Sequence, residues 1–435
     1  MRRLHMKENY TTDFIKETIN TNLLNRNKKL LNTINLVLKQ QDNLIISVNG
    51  EWGCGKTVFA KQIEYLINNP DEYENACHHN KIDHENKISE QMVYYYNAWE
   101  NDTLNMPVQS LIFQLIKHFD IKYENSPILK NVGKSLFRLL NINCLDNLQQ
   151  YTEINFNQII DDIVDIENLK TCLNNVINQI LSERKNRLLI IIDELDRCRP
   201  TYAIEMLECI KHFYYNDKLT FIVVTNNDQL SKSVKKVYGA EYNGDLYLQR
   251  FYDAIVNLNY NEITRNKYAS MILGRNLEET HIYNHIITSC ISYFNLELRQ
   301  INTFASYIKT LDAMLGSERE FPSDQFLQSI AYYLCCIAYA LNTTNTREYN
   351  DFISGNWSNI DNYVKDDPVL VEWFEEFDYL RKNFKDEKFG ANLLKDCYLC
   401  IFKGKKSITN NNFMMKIYNT RKLKSTIDSV LDLSF

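Results

Sequence analysis

Eight consecutive residues of the 435-residue chain, Gly50-Glu51-Trp52-Gly53-Cys54-Gly55-Lys56-Thr57, have the types and spacing for one particular chemistry. They fit G-x-x-x-x-G-K-[ST], in which small residues let backbone N–H groups turn inward around phosphate oxygens. Gly50, Gly53, Cys54 and Gly55 would form that cradle, and Val58 follows where a helix should open. The start of such a helix adds its partial positive charge to the phosphate site. Lys56 would reach the β and γ phosphates, and Thr57 would place its hydroxyl on Mg2+. Three of the chain's 11 glycines fall in this stretch, so glycine is concentrated where a phosphate loop needs it.

A phosphate loop also needs a carboxylate at the end of a neighbouring strand. Leu188 to Ile192 is the most apolar run of its length and ends in Asp193-Glu194. Asp193 is the expected Mg2+-side carboxylate. Glu194, just past the strand end, is placed to polarise a water for attack on the γ-phosphate.

The elements that must hold these residues follow from hydrophobic spacing. Leu44 to Val48 reads as a buried strand running into Gly50, and Thr57 to Leu66 resumes helical spacing. Met92 to Tyr96 and Thr220 to Val224 read as further strands, with polar residues at their carboxyl ends. Strands alternating with helices imply a parallel sheet covered on both faces, with ligands gathered at those ends. Residues 13 to 40 read as an amphipathic helical lead-in, 68 to 90 as a solvated polar loop, and 108 to 183 as helical. From about 262 onward the pattern is helical without a strand. The expected organisation is an α/β P-loop core over 1–260, with a helical insert at about 100–183, and an all-helical lid and C-terminal part over 261–435.

Composition bounds the rest. Hydrophobic residues make up 45% of the chain, enough for a full core, and glycine at 11 falls well below the roughly 30 of an average chain this long. A formal net charge of -6 argues against a globally basic nucleic-acid surface. The 11 cysteines form no spaced framework, and the charged N-terminus has no apolar leader, so the expected location is cytoplasmic. The longest apolar run, Ile330 to Leu341, is 12 residues where a membrane span needs about 20. It reads as a buried helix.

The motifs together resemble the KAP family of P-loop NTPases. The resemblance rests on Gly50 to Thr57, on Asn97-Ala98-Trp99, and on Asp193-Glu194-Leu195-Asp196-Arg197-Cys198-Arg199-Pro200. It extends from about residue 12 to about 310. It implies an Mg2+-dependent ATPase working as a conformational or assembly switch, as a homo-oligomer or with a partner effector protein. It further suggests a role in bacterial antiphage defence, and the Asn-, Lys- and Ile-rich usage fits an AT-rich genome. By the same resemblance Asn226 would be a polar sensor near the γ-phosphate, its rival reading being a cap of the following helix. Arg299 would be the nucleotide-touching arginine of the helical lid, against a solvated helix arginine. Arg250 would be an arginine finger. Asp196 and Arg197 are read as a structural ion pair. Many family members carry membrane helices between the two phosphate motifs, but residues 58 to 187 hold no run long enough, so membrane insertion is not expected here.

Weaker signals remain. Cys77, His78, His79 and His84 cluster in a polar stretch without a full zinc spacing, and Cys397-x-x-Cys400 is a lone pair among apolar residues. His281 and His285 lack the glutamate of a metalloprotease motif. Lys403, Lys405, Lys406, Lys416, Arg421, Lys422 and Lys424 make the C-terminus locally basic, so nucleic acid is possible as a partner but not favoured. A nucleic-acid-stimulated motor and a non-hydrolysing nucleotide-dependent scaffold are the alternative functions.

Overall fold

The computed structural model describes residues 10–40, 42–104, 106–121, 166–181, 185–212, 216–279, 281–315, 325–365 and 389–403, with 424, 427, 428 and 431. Much of the expected insert and most of the basic C-terminal stretch lie outside the described residues. The chain divides into two compact units, Met1–Asn259 and Tyr260–Phe435.

The first unit is built on five parallel strands: β1 (Leu44–Asn49), β2 (Gln91–Asn97), β3 (Arg187–Asp193), β4 (Leu219–Thr225) and β5 (Ala254–Asn257). Their order is β2-β3-β4-β1-β5. Register pairs Asn97 with Asp193 and Asn49 with both Thr225 and Asn257, so the carboxyl ends lie in one row. Apolar and β-branched residues fill β1, β3 and β4 because both faces of a parallel sheet are covered. On one face Tyr94, Tyr96, Ile190, Ile192, Phe221 and Val223 join a core that also draws on the helices Pro107–His118, Ile166–Ile180, Pro200–His212 and Asn227–Tyr238. Within it the Tyr96 hydroxyl meets Ser110 Oγ and the Tyr202 hydroxyl, both at 2.9 Å, so its burial leaves no polar atom unmatched. On the other face the helix Lys56–Asn68 (α3) packs against β2, β3 and β4.

The structure refines one local reading of the sequence, corrects a second and adds a strand. The lead-in is two helices, α1 (Thr12–Thr21) and α2 (Asn27–Lys39). Asn22 adopts a left-handed φ of 44°, and its Oδ1 accepts hydrogen bonds from the N–H groups of Arg26 and Asn27, which ends one helix and starts the next. The stretch 68–90 contains a helix, α4 (Pro70–Asn80), and a 3-10 turn. Proline at its first turn, Asp71 and Glu72 beside its N-terminus, and the buried pair Tyr73 and Cys77 one turn apart explain why so polar a segment folds. Finally, β5 was not foreseen. Its four residues alternate between half-buried and exposed at the sheet edge, too short a pattern to stand out.

The second unit is helical throughout its described residues. At its centre lies the helix Gln325–Thr344, in which Ile330 to Leu341 are buried on every side. That all-round burial is the expected outcome for a helix apolar on all faces inside a domain. The helices Ile282–Tyr293, Leu298–Leu315 and Thr346–Ile353 pack on it. Among the described residues no helix is long and apolar enough to cross a membrane.

Candidate functional site

The loop between β1 and α3 is shaped by its glycines. A Cβ at Gly50 would stand 2.6 Å from Cys54 Sγ, and Gly55 adopts a φ of 89°, a conformation that side chains strain. Gly55 is also the N-cap of α3 and offers no side-chain cap, so first-turn N–H groups of that helix remain for an anion. Lys56 is buried, and its ammonium donates to the carbonyls of Gly50 and Glu51 at 2.8 and 2.9 Å. The loop thus already directs its cation along its own rim.

Arg26 was not foreseen as part of this loop. It is buried at the start of α2 and donates to the Cys54 carbonyl at 2.7 Å and to the Leu258 carbonyl at 3.1 Å. The guanidinium therefore ties the loop backbone to the segment just after β5. Nothing in its local sequence distinguishes it from a surface arginine.

Asp193 ends β3 and is only 1% exposed. Its Oδ2 accepts from the Tyr95 hydroxyl at 2.7 Å and its Oδ1 accepts from the Glu194 N–H at 2.7 Å, and the Thr57 hydroxyl is near enough to favour its charged form. Burial pushes the Asp193 carboxyl above its ordinary value, while Tyr95, Thr57 and the Glu194 N–H pull the other way. Tyr95 is the second residue that the sequence did not single out. It lies on β2 beside β3, its ring covered by the Lys61 ammonium 3.2 Å from the centroid. Burial, then the neighbouring Asp193, push its phenol up, so it remains a donor. The motif Asn97-Ala98-Trp99 belongs to the same frame. The Ala98 N–H donates to the Asp193 carbonyl at 2.9 Å, and Asn97 Oδ1 accepts from the Trp99 N–H.

Glu194 has a left-handed backbone, φ 62° and ψ 26°, which is strained for a residue with a Cβ. Its carboxylate is bound by Arg197 at 2.8 Å, and that guanidinium lies 5.7 Å from the exposed Trp99 ring. The expected Asp196–Arg197 pair is therefore corrected: a three-residue 3-10 turn carries Arg197 back to Glu194, while Asp196 accepts from Trp52 Nε1 at 2.5 Å. Arg199 clamps the far end of the motif by binding Asp102.

Thr57, Lys56, Asp193 and Glu194 thus converge at one end of the sheet, and Asn226 immediately follows the adjacent β4. Asn226 is buried and caps the helix Asn227–Tyr238 by accepting from the N–H groups of Asp228 and Gln229. Arg250 is exposed at the end of the helix Gly244–Gln249 in the first unit. Arg299 is exposed near the start of Leu298–Leu315 in the second.

With this geometry in view, the match to a family described as the KAP family P-loop domain is decisive, since it spans residues 21–315. The chain belongs to the KAP family of P-loop NTPases. The KAP match runs from the end of α1 through the first unit and on to the end of Leu298–Leu315 in the second. No curated protein matches the sequence. Distant likenesses exist among solved structures. The ORC1 protein of Aeropyrum pernix in complex with DNA is 9% identical, with 93% of this chain and 83% of that one covered at a TM-score of 0.36. The ORC2 protein of the same organism, in ADPNP and ADP complexes, is 11% identical, with 95% and 94% covered at a TM-score of 0.35.

Proposed function

We propose that this KAP protein is an Mg2+-dependent nucleoside triphosphatase, with ATP as the preferred substrate, whose hydrolysis drives a conformational or assembly switch. The observation that carries the reading is the placement of Thr57, in the first turn of α3 behind the phosphate loop, near the buried Asp193 carboxylate that ends β3. That all-oxygen pair suits Mg2+, and Thr57 and Asp193 would hold it; the ion would supply charge neutralisation to the phosphates. The loop N–H groups and α3 bind the phosphates. Lys56 exchanges the carbonyls of Gly50 and Glu51 for phosphate oxygens, a small movement of an ammonium that is already in place. Glu194 exchanges Arg197 for a water and orients it toward the γ-phosphate. Asn226, at the end of β4, is assigned as the polar sensor and Arg299 as the lid arginine. A role in bacterial antiphage defence follows from the family resemblance.

Titration calorimetry with ATP and Mg2+ tests the site. Lys56→Ala should weaken binding by about tenfold or more, because the lysine is a point charge on phosphate, while circular dichroism stays unchanged. Equal affinity would remove the assignment. Arg250 is exposed, which suits a finger reaching a neighbouring copy. Hydrolysis per chain should then rise with protein concentration, and Arg250→Ala should abolish that rise while leaving ATP affinity intact. A rate per chain that does not change with concentration would leave Arg250 without that role.

A further inference from the structure

The polar segment after α3 has no part in the nucleotide reading, yet three of its side chains converge. Glu74 and His78 stand four residues apart on α4 and so share one face. The helix ends at Lys81, whose left-handed φ of 54° turns the chain, and His84 comes back to the same face. Glu74 Oε1 lies 3.8 Å from His78 Nε2 and 3.5 Å from His84 Nε2. One donor atom from each residue falls within 4.8 Å of the others. We propose that Glu74, His78 and His84 form a binding site for a divalent transition-metal ion, zinc being the ion this donor set suits best.

The distances carry the argument. A tetrahedral ion bound at roughly 2.0–2.1 Å needs donors about 3.4 Å apart, so the two separations from Glu74 close with shifts of a few tenths of an ångström, while the two imidazoles, within 4.8 Å of each other, have further to move. Two imidazoles and one carboxylate are a zinc donor set, whereas Mg2+ and Ca2+ prefer oxygen alone. This separates the site from the nucleotide's Mg2+. Three protein ligands leave a fourth position for water or another donor.

The returning strand of chain is also held without metal. The buried Tyr73 hydroxyl accepts from the Glu85 N–H at 3.1 Å and donates to Asn35 Oδ1, and Asn35 Nδ2 donates to the Asp83 carbonyl at 2.8 Å. Both neighbours of His84 are therefore fastened to one buried Tyr–Asn pair, and little ordering is left for an ion to impose. The membership of the Cys–His cluster noted in the sequence changes accordingly. Cys77 is fully buried beneath the helix, and His79 Nδ1 lies 3.0 Å from its own helix's Asn75 carbonyl, so neither joins the site. Glu74 replaces them. Bound metal would fasten α4 to the segment that leads into β2.

The alternative is an exposed Glu–His cluster that does nothing, since Glu74 and His78 are 52% and 66% exposed and such pairs are worth little. Zinc titration of the full chain, without nucleotide or Mg2+, separates the two. The expected result is one saturable event per chain, weakened about tenfold or more in each of Glu74→Gln, His78→Ala and His84→Ala, together with a zinc-induced rise in melting temperature that these variants lose. Cobalt in place of zinc should give visible d–d bands without a thiolate charge-transfer band, and Lys56→Ala should bind zinc like the parent. Absence of saturable binding, parental affinity in all three variants, or thiolate bands from one of the cysteines would each overturn the site.

Discussion

Each unit sets a carboxylate against a tyrosine, fully buried in the first and a third exposed in the second, and the two are matched in different ways. In the first unit Asp193 is 1% exposed, and its hydrogen bonds come from uncharged donors, the Tyr95 hydroxyl and the Glu194 backbone. In the second, Asp312 accepts from the Tyr332 hydroxyl at 3.0 Å and also lies 3.2 Å from an Arg275 guanidinium nitrogen. Arg275 in turn donates to the Tyr332 hydroxyl at 2.9 Å, closing a triangle in which the carboxylate's charge is matched. Neutral donors orient a carboxylate but do not balance its charge, so a buried site of the first kind weakens the fold and favours a cation. A charge-matched triangle stabilises the fold and invites no ligand. The backbone differs in the same sense: Glu194, next to Asp193, holds a strained left-handed conformation, whereas Asp312 lies within a regular helix. Strain and unbalanced charge thus meet at the strand ends.

The largest effect that this contrast forecasts is on turnover. Glu194→Gln keeps the size of the side chain but loses the carboxylate, so hydrolysis should fall by about a hundredfold or more with nucleotide affinity retained. Phosphate release at the parental rate would move the catalytic role elsewhere and leave Glu194 as Arg197's partner alone.

Next in size is a pair of substitutions with opposite signs, measured by thermal melts in chelator without nucleotide. Asp312→Asn removes the charge that matches Arg275 and should destabilise by about 1–2 kcal/mol, modest because both side chains are about a third exposed. Asp193→Asn removes a charge that burial disfavours and should stabilise by about 1 kcal/mol. The sign with pH follows from the raised folded-state value. The stability that the protonated Asp193 carboxyl contributes is present below its unfolded value near 3.8 and is lost as pH rises through the folded value. The advantage of asparagine should therefore be small in acid and grow toward neutral pH. Two substitutions of the same sign would dissolve the distinction between the carboxylates.

The first unit's side of this contrast was partly legible in the residues, whereas the Asp312, Tyr332 and Arg275 triangle was not. The phosphate loop and Asp193-Glu194 stand out because a glycine-poor chain concentrates glycine before a lysine, and because an apolar strand stops abruptly at two acids. The buried helix Ile330 to Leu341 was legible because it is apolar on all sides. Tyr95 was not, since a strand tyrosine has the same local pattern whether it packs or donates; only the register of β2 on β3 brings it to Asp193. Arg26 was hidden because its partners are backbone carbonyls 28 and 232 positions away. Arg197's partner was misjudged because an i, i+3 reach across a 3-10 turn competes with a simple neighbour reading. The helix over Pro70–Asn80 was missed because only Tyr73 and Cys77 anchor it, too few apolar positions to give a clear period.

The smallest effect is the finest test of the frame around Asp193. Tyr95→Phe keeps the ring, its place on β2 and the contact with the Lys61 ammonium, and removes only the hydroxyl that donates to Asp193 Oδ2 at 2.7 Å. If that bond fixes the carboxylate for the ion, its loss should weaken the Mg2+-dependent part of ATP binding by about three- to tenfold, at the low end of what supporting partners of ligands contribute. Binding in chelator should be unaffected, because the phosphate contacts of the loop and Lys56 do not pass through Tyr95. The nucleotide-free protein should also change little in stability. Loss of the phenol hydroxyl leaves Asp193 short of one donor, but the phenyl ring no longer has a buried hydroxyl to satisfy, and the two changes offset. A ring that merely fills space predicts the same Mg2+ midpoint for phenylalanine and tyrosine. The position of that midpoint therefore decides whether Tyr95 positions Asp193 or only packs beside it.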